Sequence, residues 1–246
     1  MIALLTVLLS FAGAAACGFM PARNHGRIRS VALGTALAGL VTAIVCCVQY
    51  SGDGEFAAKL QADWIPSLGV QFLTGYDGIS LPLLIVTGLV AVCGVLFTWN
   101  LDHRVNEFYA YYFALIGGVY GVFLSLDLFL LFVFYEIAIV PKYFLIAIWG
   151  GAKRQYAAMK LVLYSFGGSA LVLLGMLALA FNAGTEPTFS IMGCLRLSFH
   201  LNYKWRCSPY CFLGSPFWRV CGHSILGLRR ATRRRQLLPA CCLPAW

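Results

Sequence analysis

Between Leu128 and Trp149 the chain reads LFLLFVFYEIAIVPKYFLIAIW, an apolar run long enough to cross a bilayer, for which about 20 residues suffice. Near its middle stands Glu136. A charged carboxylate at that depth costs roughly 2.5–3.5 kcal/mol on insertion scales, and such a residue ordinarily faces a helix bundle or a wet cavity on a proton or ion path. The bland alternative is a buried hydrogen-bond partner that ties helices together. Pro141, five residues on, removes the helical donor of the Ile137 carbonyl one step past the acid. Kinks and inserted waters are common devices at such places in transport helices.

Apolar runs of this kind recur. Six segments fit spanning helices, at about 1–20, 31–50, 80–99, 107–125, 127–149 and 156–182. With 61% hydrophobic and 11% charged residues, the chain is far below the roughly one quarter charged of soluble domains. The expected fold is therefore all-α, a polytopic transmembrane helix bundle over residues 1–190, followed by an irregular tail over 191–246. The first apolar run is not read as a signal peptide, because Arg23, Arg27 and Arg29 follow it instead of preceding it.

Charge sorts the connections into two sides. Arg23, Arg27 and Arg29 follow the first segment, Arg104 the third, and Lys153 and Arg154 the fifth. The alternate connections hold Asp53, Glu55, Lys59, Asp63 and Asp77, or only Asp127. The 20–30, 100–107 and 150–155 loops are expected together on the cytoplasmic or matrix side. The 51–79 loop, with Trp64, Pro66, Phe72 and Tyr76, suits the membrane interface. Asp77 with Ser80 and Asp127 are placed to cap the third and fifth helices. The short FLSLDLF connection makes helices four and five a tight antiparallel pair. Gly117-Gly118 and Gly167-Gly168-Ser169 allow close helix approach.

Lys160 lies on the cytoplasmic flank of the sixth segment. Snorkelling to the interface is its ordinary behaviour, and a place in a proton relay is the sharper reading. Lys142, six residues after Glu136, falls on a different helix face and is not expected to pair with it. No phosphate-binding loop, dinucleotide fingerprint or helical His pair is present, and no metal is expected.

Three stretches carry a resemblance: GYDGISLPLLIV (75–86), FLSLDLFLLFVFYEIAIVPKYFLIAIWGG (123–151) and YAAMKLVLYSFGGSALVLLG (156–175). With their flanking helices, through residue 191, they resemble the proton-pumping membrane subunit M (chain 4) of NADH:quinone oxidoreductase, respiratory complex I. The resemblance implies that Glu136 is the membrane glutamate of a proton channel and that Lys160 matches the family's lysine before an FLY-like segment. It implies a non-redox translocase subunit with no cofactor in this chain. NADH, FMN, iron–sulphur clusters and quinone then belong to partner subunits. Partners are the other membrane subunits and the lipid bilayer, with no nucleic acid. The location is a bacterial inner membrane, or alternatively the mitochondrial inner membrane. Two departures stand out: Lys142 replaces the usual Met, and the chain is a truncated version, lacking the later helices and their channel lysines. A subunit of a related cation/proton antiporter or membrane hydrogenase is the alternative, as is a non-functional membrane-inserted fragment.

The net charge of +9 resides entirely in the tail, since nine basic and nine acidic residues balance before Ile191. The tail also holds six cysteines, from Cys194 to Cys242, and the run RRATRRR at 229–235. Combining the last base of each codon with the first two of the next permits FLGFAI from Cys211 to Phe217, PFHTWL from Gly222 to Leu228 and HTEAPTAASVLLAGV from Ala231 to Trp246. These words resemble the family's continuation in order and spacing. The expectation is a disordered tail translated out of register, with the frame lost between Ile191 and Tyr203. The arginines then imply no nucleic-acid or lipid partner. Sequencing the coding DNA across codons 190–205 is expected to show one inserted or deleted base whose correction restores the family sequence. An intact frame there contradicts this reading.

Overall fold

The computed structural model describes residues 2–21, 24–50, 57–65, 70–181 and 189 of the 246-residue chain. The tail beyond Ile191, with its charge, cysteines and reading frame, lies outside the described residues. The elements are α1 (Ile2–Phe19), α2 (His25–Val48), β1 (Ala57–Ile65), β2 (Val70–Tyr76), α3 (Ser80–Phe97), α4 (Val105–Leu124), α5 (Leu128–Trp149) and α6 (Arg154–Phe181). Helices α2 to α6 are long and apolar enough to cross a membrane, and α1 is apolar but falls just short by its described residues. Each expected segment is thus a helix. α2 starts earlier than its apolar pattern, because Arg29 can reach across to the α3–α4 connection and so remain in the first turns.

The 51–79 segment differs from the expected interfacial loop. Its β1 and β2 form an antiparallel hairpin, with Ala62 opposite Phe72 and Asp63 opposite Gln71. The cause is visible in the residues: Lys59, Gln61 and Asp63 alternate with Leu60, Ala62 and Trp64, a period of two. Gln71 donates from Nε2 to Asp63 Oδ1 (3.1 Å), and Gln61 Nε2 donates to Gln71 Oε1 (3.0 Å). Among the described residues the bundle is helical with this small sheet attached.

α4 is the central helix. Tyr109, Tyr112, Phe113 and Tyr120 on it are almost wholly buried. In hydrocarbon a buried hydroxyl gains from an internal acceptor, which Tyr120 Oη does not have among the described residues. Tyr112 Oη donates to the Val90 carbonyl (3.0 Å), while Thr87, Thr98 and Ser125 bond back to carbonyls four residues earlier. The tight α4–α5 pair is as expected. Gly118 packs on Ala138 and Gly121 on the Phe134 ring, while Gly117 receives Phe11 of α1.

The sorting of the connections holds too. At one end Arg29 Nη2 donates to the Leu101 carbonyl (3.0 Å) and to Asp102 Oδ1 (3.2 Å), and Trp149 Nε1 donates to the His103 carbonyl (2.9 Å). The start of α2, the α3–α4 connection and the end of α5 therefore share one side. At the other end Tyr50 and Tyr76 meet with centroids 6.4 Å apart, and burial pushes the Tyr76 phenol above its ordinary range.

A Cβ at position 118 would stand 2.8 Å from the Ala138 Cβ and 3.1 Å from its Cα, whereas one at position 34 meets nothing within 4 Å. Gly118→Val is expected to destabilise the bundle by about 1–3 kcal/mol through overpacking. Gly34→Ala should be neutral or slightly stabilising. Unfolding of both variants in detergent checks the contrast.

Candidate functional site

The site is built on α5, and the helix is fixed at its start. Asp127, 1% exposed, accepts from the Phe129 N–H (2.7 Å) and the Leu130 N–H (3.4 Å) through Oδ1. Capping is the role expected for it. Its other oxygen accepts from the Gln71 N–H of β2 (3.1 Å), a link the sequence did not disclose. Asp77 likewise caps α3, accepting the Ser80 N–H at 2.8 Å, while Ser80 Oγ accepts the Asp77 N–H at 2.9 Å. The hairpin is joined to α5 further by Leu126 N–H to the Leu73 carbonyl (2.9 Å) and by the Trp64 ring set edge-on to Phe129 (6.1 Å).

Glu136 lies nine residues beyond the cap, about 13 Å along the axis. Phe134 and Ala138 on either side of it face α4, and two residues turn an α-helix by about 200°. Glu136 therefore points away from α4. It is half-buried, and its Oε1 is a buried atom with no hydrogen-bond partner among the described residues. Its neighbours Ile137 and Val140 are exposed to 39% and 51%. α5 continues through Pro141, which is buried against the bundle.

Lys160 is not beside Glu136. It sits less than two turns into α6, its Nζ 6.0 Å from the Tyr156 ring centroid and 5.7 Å from that of Tyr164, one turn to each side. Glu136 is thirteen residues from the end of α5 and Lys160 six from the start of antiparallel α6. At about 1.5 Å per residue they are about 10 Å apart along the bundle. Arg29–Asp102 and Arg104–Glu107 are ion pairs among the described residues, and Glu136 is in neither. No cluster of three or more His, Cys, Asp or Glu suited to a metal is found among them.

The family described as "NADH:quinone oxidoreductase/Mrp antiporter, TM" matches residues 125–210, from the α5 cap through Glu136, Pro141 and Lys160. Over that stretch the chain is similar to this family. An NAD(P)H-quinone oxidoreductase chain 4 of Synechococcus sp. is 32% identical over 206 residues, which is 82% of this chain and 37% of that relative. A chain 4-2 of Synechocystis sp. is 38% identical over 174 residues, 70% of this chain and 31% of that one. The chain thus spans about a third of the length of these curated relatives. In fold it is similar to a chain of respiratory complex I from Thermus thermophilus, with a TM-score of 0.74, 24% identity, and 88% of this chain and 43% of that one covered. It is similar also to a chain of the Mrp complex from Dietzia sp., with a TM-score of 0.70, 16% identity, and coverage of 91% and 24%. The family match extends to residue 210, past the window of 191–203 in which the frame is expected to slip, and residues 211–246 lie outside it.

Proposed function

We propose that the chain is a non-redox membrane subunit of a proton-translocating NADH:quinone oxidoreductase and that Glu136 is part of its proton path. The observation that carries this is the half-buried Glu136, whose Oε1 has no hydrogen-bond partner among the described residues, on an apolar helix within the family match. Lys160, the lysine of α6, is the second member of the path. With about 10 Å of axial separation, the two communicate through water or intervening groups instead of a direct ion pair. Nothing about hydride or electron transfer is asked of these residues. NADH, FMN, iron–sulphur clusters and quinone belong to partner subunits, and this chain holds no cofactor of its own. Its partners are the other membrane subunits, and it is a multi-pass protein of the bacterial inner membrane, as the bacterial relatives support.

A second reading is a subunit of a cation/proton antiporter, favoured by the family's description and by the likeness to the Mrp complex. Neighbouring genes for soluble flavin and iron–sulphur subunits support the oxidoreductase. The test of the path is Glu136→Gln in the assembled complex. NADH-driven proton uptake into membrane vesicles is expected to fall by at least about tenfold, the scale of a lost proton-transfer group. Undiminished uptake contradicts the proposal.

A further inference from the structure

We infer that Asp127 is the positioning residue for Glu136, holding the N-terminal half of α5 to the β1–β2 hairpin. This rests on the proton-path reading of Glu136. Asp127 does more than cap. Its Oδ1 serves the Phe129 and Leu130 N–H groups, and its Oδ2 takes the Gln71 N–H, so one buried side chain joins helix start to sheet edge. Around it the Leu126 N–H bonds to the Leu73 carbonyl, Thr74 bridges Ser125, and Trp64 packs on Phe129. Beyond it α5 lacks one backbone hydrogen bond, at the Ile137 carbonyl, because Pro141 has no N–H. The segment from Asp127 to Ile137 is thus anchored at one end and loosened at the other, with Glu136 near the loose end. Its depth along the helix follows from the anchor.

Two variants separate anchoring from capping. Asp127→Asn keeps an acceptor oxygen for the cap but turns an NH2 group towards the Gln71 N–H, donor against donor. Gln71→Pro removes the same hydrogen bond from the hairpin side, together with the exposed side-chain bonds to Gln61 and Asp63, and leaves Asp127 and its cap intact. Pro is tolerable there because that N–H faces Asp127 and not β1. In the assembled complex, hydrogen–deuterium exchange over residues 70–76 is expected to quicken by about tenfold at the hairpin in Asp127→Asn, while residues 128–131 keep their protection. In both variants the infrared band of the Glu136 carboxyl, assigned by its loss in Glu136→Gln, should shift. Proton uptake should fall by about tenfold or more, as for a misplaced reacting group. An unchanged band and full uptake in either variant, or unchanged exchange at the hairpin, overturns the positioning role. Failure confined to these two variants leaves the Glu136 reading standing, whereas full pumping by Glu136→Gln removes both.

Discussion

The contact between α4 and α5 fixes the direction in which Glu136 points. Gly118 and Gly121 have no side chains, so Ala138 and Phe134 close directly on the α4 backbone. That contact sets the rotation of α5, and rotation decides which side of the helix a residue midway between them must take. Glu136 is turned outward from the α4 interface by the same geometry that packs its neighbours inward. Because membrane helices gain little from mutual apolar burial, close backbone approach of this kind is their principal source of packing energy.

The axial position has a different origin. A helix in hydrocarbon can slide unless polar groups at its ends pin it. At one end of α5 the pin is Asp127, whose bonds to the cap and to Gln71 join the helix to the hairpin. At the other end it is Trp149, donating to the His103 carbonyl on the α3–α4 connection. The two pins lie on opposite sides of the bundle. Between them Pro141 leaves one carbonyl unserved, so any adjustment of α5 is confined to the turns next to Glu136.

Much of this was legible in the residues. The six helices, the side-sorting of their basic connections, the α4–α5 pairing and the two acidic caps all follow from local rules of length, charge and capping. The hairpin was misread because Trp64 and Tyr76 suggest an interface, although Lys59, Gln61 and Asp63 alternate with apolar residues in the period of a strand. The Gln71–Asp127 and Arg29–Leu101 bonds were not legible at all. Each joins residues more than fifty positions apart, and no local pattern encodes such a pairing. Glu136 stands out in the sequence by its cost in hydrocarbon, whereas the place of Lys160 beside Tyr156 and Tyr164 is not legible there.

The seat of Glu136 in hydrocarbon can be measured directly by carbodiimide labelling of intact membranes, read by mass spectrometry. A lipid-soluble reagent should modify Glu136, while a charged, water-soluble one should miss it and modify Glu107, which is 41% exposed beside Arg104. Modification of Glu136 by the water-soluble reagent alone contradicts a carboxyl group held on the apolar face of α5.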